Sequence, residues 1–231
     1  MLIIDLIRHV KVNGNAALYG KTDIAPSLND NQQLVNQLIN RESYDVVISS
    51  PLQRCWLLAE QLANTLNKPL FCLEALQEID FGIYDGIAFN DIPLNDGVQV
   101  SEGPVNWPSL EAFFQAPARE SLPRAESLSD FNQRVITCWY DLLDRQYQLP
   151  SDEKLHHNKG SVQPKRIAIV AHGGIIRMIL AEVLGLDWKN PLWHQNLKIA
   201  NGSLTTLTIS QPFKERCWLQ QVNNIAIPLL V

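Results

Sequence analysis

The sequence predicts a three-layer α/β/α sandwich with a mostly parallel central sheet. Two aliphatic runs, 2–7 (broken only by Asp5) and 166–171, have the near-continuous apolar character of strands covered on both faces, which is how parallel-sheet strands read. Strand-like and helix-like segments alternate along the chain, the pattern of one α/β sheet. With 46% hydrophobic and 19% charged residues among 231, the chain can fill a sizeable core. A single domain over 1–231 is expected, with about 87–126 and 150–164 as loop or lid excursions.

The first strand, LIIDLIRH over 2–9, delivers Arg8 and His9 to its carboxyl end, where parallel sheets hold their ligands. Residues 10–26 are polar and turn-rich, a long loop at that same end. Residues 28–40 carry Leu34, Val35, Leu38 and Ile39 at helical spacing, with Asn29 or Asp30 as N-cap. YDVVI at 44–48 is a second strand. Ser49-Ser50-Pro51 then suggests a serine cap, Pro51 in the first turn and a helix to about Leu66, which brings Arg54 close to the strand end. A third strand is expected over 69–76.

Residues 77–86, QEIDFGIYDG, mix acids, aromatics and glycines without a clean period, and 90–108 is an acidic loop. A short helix is expected over 109–115 and a longer one over 127–148, striped by Phe131, Val135, Ile136, Trp139, Leu142 and Leu143. Residues 150–163 are polar. Their His156-His157 pair has no third ligand nearby, so a solvated loop is expected rather than a metal site. The strand 166–171 runs into His172-Gly173-Gly174 and a helix over 175–186. Those glycines let backbone approach a ligand at a helix N-terminus. Residues 204–209 and 217–221 are final strands and a candidate hairpin.

The net charge of −5 argues against binding nucleic acid or an anionic membrane. No apolar run approaches the ~20 residues of a membrane span, and the N-terminus lacks a secretory pattern. Cys55, Cys72, Cys138 and Cys217 are scattered without a CxxC pair, so neither a zinc site nor a disulfide framework is suggested, and a cytoplasmic setting is expected.

Arg8 with His9, Arg54 and His172 follow three predicted strands, and Glu78 follows a fourth. Phosphomonoester chemistry wants these groups. Guanidinium forks match the non-bridging oxygens of a phosphoryl group. A neutral imidazole is a nucleophile near neutral pH, and a carboxylic acid can protonate a leaving alkoxide. No GxxxxGK[ST] loop or metal-ligand cluster supports a nucleotide-dependent reaction.

The motifs resemble a family. Leu6-Ile7-Arg8-His9 is similar to the LxRHG motif of the histidine phosphatase superfamily, which includes the phosphoglycerate mutases. Ser49-Ser50-Pro51-Leu52-Gln53-Arg54 resembles its SSPLxR motif. Residues 76–86 resemble its LxEIDFGxWEG stretch, and Ala125-Glu126-Ser127 with Arg134-Val135 its GES…RV helix start. Val170-Ala171-His172-Gly173-Gly174 matches VxHGG. These five motifs stand in family order over residues 2–174. The resemblance implies a phosphoglycerate mutase-like fold and a metal- and cofactor-independent phosphatase. In it His9 would form a phosphohistidine, and Arg8, Arg54, His172 and the Gly173 N–H would hold the phosphoryl oxygens. Glu78 would act as acid and then base, and Asn15 would sit at a phosphate-contacting position.

Three departures stand out: Val10 replaces the usual glycine after the histidine, Val12 the usual threonine, and Tyr84-Asp85 the usual Trp-Glu. Val10 is β-branched and resists positive φ, so a different loop backbone is expected there. The stretch Tyr19-Gly20-Lys21-Thr22-Asp23 resembles a YGxTD sequence of the α-ribazole-phosphate phosphatases of cobalamin synthesis, which implies α-ribazole 5′-phosphate as substrate, with Tyr19, Lys21, Thr22 and Glu126 as substrate-contact candidates. Glu126 has the equal alternative of serving its helix N-terminus through the dipole. The rival functions are a mutase or sugar-bisphosphatase of the same superfamily, and a catalytically silent binding module. The expected partner is a small phosphorylated metabolite, and the oligomeric state is left open.

Overall fold

The computed structural model describes residues 1–94, 99–100, 103–148, 164–210 and 218–230. A six-stranded sheet has the order β3-β2-β6-β1-β7-β8. Its strands are β1 (Leu2–Arg8), β2 (Val46–Ser49), β3 (Leu70–Cys72), β6 (Lys165–Ala171), β7 (Ser203–Ser210) and β8 (Leu219–Pro228). The first four run parallel, and β7 and β8 add antiparallel strands beyond β1. A two-residue hairpin, β4 (Gln99–Val100) with β5 (Gly103–Pro104), stands apart. The helices are α1 (Leu28–Arg41), α2 (Gln53–Leu66), α3 (Trp107–Gln115), α4 (Leu128–Gln148), α5 (Gly173–Leu184) and α6 (Pro191–Asn196). No helix among the described residues is long and apolar enough to cross a membrane.

The period-2 alternation of side chains along a strand sets the layers. Leu2, Ile4 and Leu6 of β1 join Ile167 and Ile169 of β6 under α4 and α5, against Phe131, Val135, Trp139, Ile175 and Ile179. Ile7, Val47, Ala168 and Val170 face the other way, under Leu34, Val35 and Leu38 of α1 and Leu58 and Leu62 of α2. Trp139 is buried, as its helix stripe implies, whereas Trp56 is only half-buried.

Asp5, which interrupts the apolar run of β1, is fully buried on the α1–α2 side. It accepts from the Tyr44 hydroxyl at 2.9 Å, the Thr206 hydroxyl at 2.6 Å and Arg166 Nε at 2.9 Å. A buried carboxylate is tolerable when it is paired and hydrogen-bonded on both oxygens, as here.

Several element boundaries differ from the sequence expectation. The N-cap of α1 is Ser27, whose side chain accepts from the Asp30 N–H, not Asn29 or Asp30. Helix α2 starts at Gln53 with Leu52 in the cap position and no side-chain cap: the Ser49 hydroxyl bonds Ser50 O, the Ser50 hydroxyl meets His172, and Pro51 stays outside the helix. Strand β3 stops at Cys72, and a 3₁₀ turn, Glu74–Leu76, takes over. Helix α5 begins at once after His172 and ends at Gly185, whose φ of 64° closes it in the left-handed conformation. The expected hairpin strand appears as β8, while Cys217 lies outside the described residues, as do His156 and His157.

Residues 87–126, expected as a loop or lid, carry their own small core of Ile92, Val105, Leu110, Phe113 and Leu122 around Tyr84. Two isolated bridges, Ala17 to Ala88 and Leu18 to Asp85, join the start of this excursion and the turn before it to the loop that follows β1.

Candidate active site

The parallel strands end at one place. The His9 N–H donates to Ala171 O at 3.1 Å and the Ser50 N–H to Val170 O at 3.1 Å, so the ends of β1, β2 and β6 are laced together. His9 and His172 meet edge to face there, with ring centroids 5.3 Å apart.

His9 is 7% exposed, and its Nδ1 lies 2.6 Å from Val10 O. A carbonyl only accepts, so Nδ1 carries the proton and Nε2 keeps its lone pair. Burial, followed by the charges of Arg8 and Arg54, lowers the His9 pKa to about 3. The imidazole is therefore neutral throughout the physiological range. Val10 itself is buried among Ile7 and the α1–α2 side chains and is not among the positive-φ residues. The loop thus accepts valine in place of glycine without strain at that residue.

Arg54 is fully buried and largely committed to the protein. Its Nη1 donates to Thr22 O at 2.8 Å, and its Nη2 to Tyr19 O at 3.0 Å and Gly20 O at 2.6 Å. Its Nε donates to His172 Nδ1 at 3.2 Å. Arginine does not deprotonate, so His172 Nδ1 is held as an acceptor and Nε2–H points to Ser50 Oγ, 2.8 Å away. Burial and then the neighbouring His9 and arginines push the His172 pKa well down. Cys55 packs beside this ring, 3.5 Å from Nε2, with its thiol pushed up by burial and so unreactive.

Arg8 is the more open cation. Its Nη1 donates to Ile199 O, while its buried Nε has no hydrogen-bond partner among the described residues. Gly173 lies against it: a Cβ on Gly173 would sit 3.4 Å from Arg8 Cζ and 3.6 Å from Arg177 Nη1. A second arginine, Arg177, therefore flanks the same spot, and no carboxylate among the described residues forms an ion pair with it.

Glu78 closes the other side. Its Oε2 accepts from the Gly174 N–H at 3.0 Å and its Oε1 from the Ile79 N–H at 3.1 Å. The close approach explains the second glycine of the HGG sequence, because a Cβ on Gly174 would lie 2.3 Å from Glu78 Oε1. Glu126, one of the substrate-contact candidates, is engaged by another side chain. It binds Arg134 in a two-point fork of 2.6 and 2.8 Å, and Arg134 in turn donates to the carbonyls of Ala75, Gln77 and Glu78. The pair braces the backbone that carries Glu78, and Ser127, not Glu126, caps α4 by accepting from the Asp130 N–H.

The Tyr19–Asp23 stretch is likewise engaged. The carbonyls of Tyr19, Gly20 and Thr22 hold Arg54. The N–H groups of Lys21 and Thr22 donate to the Asp85 carboxylate at 2.9 Å each. Asp23 accepts from Gln53 at 2.8 and 3.0 Å, and a Cβ on Gly20 would come within 2.1 Å of Ile79 O. The Tyr19 hydroxyl donates to Asn15 O at 2.8 Å, and the Lys21 ammonium, 61% exposed, pairs with Asp80 at 2.6 Å. Asn15 is exposed, and among the described residues no hydrogen bond joins its side chain to the His9 cluster. Arg8, His9, Arg54, Glu78, His172 and Gly173 are thus brought together, whereas among the described residues Asn15 O, the Lys21 ammonium and the Glu126 carboxylate bond to Tyr19, Asp80 and Arg134.

Sequence reading missed Ser50 as the partner of His172, Arg177 beside Arg8, and Asn201, whose Nδ2 donates to His9 O at 3.1 Å. Arg177 stood in view at one helical turn beyond Gly173. Among the described residues no group of His, Cys, Asp and Glu is placed to hold a metal ion. A cavity of about 1110 Å³ lies elsewhere, between the β2–β3 edge and α4, lined by Ile48, Cys72, Leu73, Thr137 and Cys138. Arg134, which braces the Glu78 backbone, also lines it, but Arg8, His9, Arg54, Glu78 and His172 do not.

A neutral imidazole among arginines, beside a carboxylate at a helix N-terminus on an α/β/α sheet, marks the class as a phosphate-ester hydrolase. The family model of the histidine phosphatase superfamily (branch 1) matches residues 4–224, and the chain belongs to that superfamily. It is 25% identical over 213 residues to a putative phosphoserine phosphatase 2 of Hydrogenobacter thermophilus, covering 87% of each chain. It is 21% identical to the adenosylcobalamin/α-ribazole phosphatase of Escherichia coli, over 96% of each. A solved mycobacterial glucosyl-3-phosphoglycerate phosphatase superposes with a TM-score of 0.76 at 17% identity, covering 99% of this chain and 100% of that one. The chain is accordingly a phosphatase of this superfamily.

Proposed function

We propose that the enzyme hydrolyses phosphomonoesters through a phosphohistidine on His9. The observation that carries this reading is the His9 ring itself, held neutral with its Nδ1–H on Val10 O and, among the described residues, no hydrogen bond to Nε2. Nε2 attacks phosphorus in line, and a P–N bond forms as the P–O ester bond breaks. The leaving oxygen takes its proton from the Glu78 carboxyl. Water then attacks the phosphohistidine, gives a proton back to Glu78, and releases inorganic phosphate. The unpartnered Arg8 Nε and the first-turn N–H of Gly173 take non-bridging oxygens. Arg54 and His172 contribute mainly by fixing each other and the loop over the site, with one Arg54 N–H left for the phosphoryl group. Catalysis is then positioning and charge stabilisation, with no metal required.

The substrate suggested by the Tyr19–Asp23 stretch and the Escherichia coli relative is α-ribazole 5′-phosphate. Each residue of that stretch also has a purely structural bond, so the motif speaks for the Arg54 lock as much as for a substrate. One observation favours a second reading. Arg177 beside Arg8 offers a cation for another anionic group, which suits a phosphomonoester bearing a carboxylate, such as phosphoserine, the substrate in the name of the Hydrogenobacter relative. Relative kcat/KM values for α-ribazole 5′-phosphate, phosphoserine and 3-phosphoglycerate, each with and without chelator, test these readings. Preference for α-ribazole 5′-phosphate upholds the first and preference for phosphoserine the second. Isomerisation of 3-phosphoglycerate would make the enzyme a mutase, and loss of activity in chelator would overturn the metal-free mechanism.

A further inference from the structure

The stretch 197–202, between α6 and β7, is tied along the carboxyl end of β1. Arg177 Nε donates to Leu197 O at 2.9 Å, and Arg8 Nη1 donates to Ile199 O. The Gly202 N–H lies 3.1 Å from both Arg8 O and His9 O. Between these ties, Asn201 Nδ2 donates to His9 O at 3.1 Å and to Val10 O at 3.2 Å. The amide can face only one way, since its oxygen would be repelled by two carbonyl oxygens.

Val10 O is also the acceptor of His9 Nδ1–H. A carbonyl oxygen has two lone pairs, so it can hold both donors at once. The Asn201 amide, whose Nδ2 lies 3.5 Å from His9 Nδ1, thus fixes from beside the imidazole the one atom that sets the ring's tautomer and direction. Val10 sits where the family pattern has glycine, and its carbonyl is the peptide unit that must stay in place for Nε2 to face phosphorus.

We propose that Asn201 is a positioning residue for the nucleophile: by bridging the carbonyls of His9 and Val10, it holds the His9 ring with Nδ1 protonated and Nε2 aimed into the site. The proposal rests on the reading of His9 as nucleophile. The charged and titratable groups that face His9 are Arg8 from β1, Arg54 from α2 and His172 at the end of β6.

The test uses Asn201→Ala, Asn201→Ser and Asn201→Asp in the full chain, with p-nitrophenyl phosphate as substrate, thermal melts and ¹⁵N spectra of the His9 ring. Asn201→Ala is expected to lower kcat by about tenfold to a hundredfold, as a small misplacement of a reacting group does, with KM moving less than about threefold. Its His9 spectrum loses the single Nδ1–H tautomer, and Asn201→Ser, which keeps a short donor, recovers part of the rate. Asn201→Asp moves the acid limb of kcat/KM to higher pH, because a carboxylate in that place favours the imidazolium. A merely structural role predicts no such difference between Ala and Asp. A folded Asn201→Ala with kcat within about twofold of wild type, or with the His9 tautomer unchanged, overturns the proposal. If the alanine variant does not fold, the spectra and pH profiles of the serine and aspartate variants decide in the same way. Activity in His9→Ala would instead overturn the underlying reading, while the ¹⁵N spectra still report on Asn201.

Discussion

Two neighbouring regions at the carboxyl edge of the sheet are built on opposite principles. The cluster of His9, Arg54 and His172 is buried, and nearly every polar atom in it has a partner inside the protein. The rim beside it, from Tyr19 to Asp23 and from Asp80 to Phe89, is half-exposed and held by carboxylates gripping backbone N–H groups. Its one cation, Lys21, forms a solvent-screened pair of the kind worth ~0–1 kcal/mol. The buried region fixes its side chains through hydrogen bonds from several elements. The charged side chains of the rim are engaged with its own backbone and with each other.

Substitutions test this contrast. Arg54→Ala should have the largest effect, because it strands three loop carbonyls and His172 Nδ1. With ~1–3 kcal/mol for each buried group left unmet, the loss should reach several kcal/mol in chemical denaturation, with turnover abolished. A mild effect would mean that the loop is not locked by this side chain. Gly174→Ala should come next. Its methyl group would displace the Glu78 carboxylate, and turnover should fall about a hundredfold, as for loss of an acid–base group, while the melting temperature drops far less than for Arg54→Ala. Steady-state rates beside melting curves separate the two outcomes.

A third effect depends on pH. His9 and His172 are held neutral when folded, with His9 at about 3 against an ordinary value of 6.5. Their folded pKa values lie below the unfolded ones, so the unfolded chain gains protons first as pH falls. Stability should be constant above about pH 6.5 and decline from there toward about pH 3. Urea midpoints measured across that range check this, and a His9→Gln variant should show a shallower decline. The smallest effect belongs to the rim. Lys21→Ala should change stability by less than ~1 kcal/mol and kcat/KM for p-nitrophenyl phosphate by no more than about twofold. A large loss there would show that the rim does engage substrate charge.

The same contrast explains what was legible in the sequence. The buried strands announced themselves because double-sided burial leaves an apolar run, and Arg8, His9, Arg54 and His172 were legible because each sits at a fixed offset from such a run. The reasons behind other residues were not. Asp5 looked like an interruption, and its partners Tyr44, Arg166 and Thr206 lie 39 to 201 residues away. Glu126 looked like a residue for substrate or helix dipole, whereas it holds Arg134, eight positions on. Asn201 lies in a loop with no local pattern, and only the return of β7 alongside β1 brings it to His9.

The proposed mechanism has His9 Nε2 carry the phosphoryl group. Rapid acid-free quenching during turnover, followed by ³¹P spectroscopy and peptide mapping, tests it directly. An acid-labile, base-stable phosphoryl group is expected on Nε2 of His9, absent from His9→Ala, which should also lack turnover. A phosphoryl group on any other residue, or near-normal turnover by His9→Ala, would contradict it.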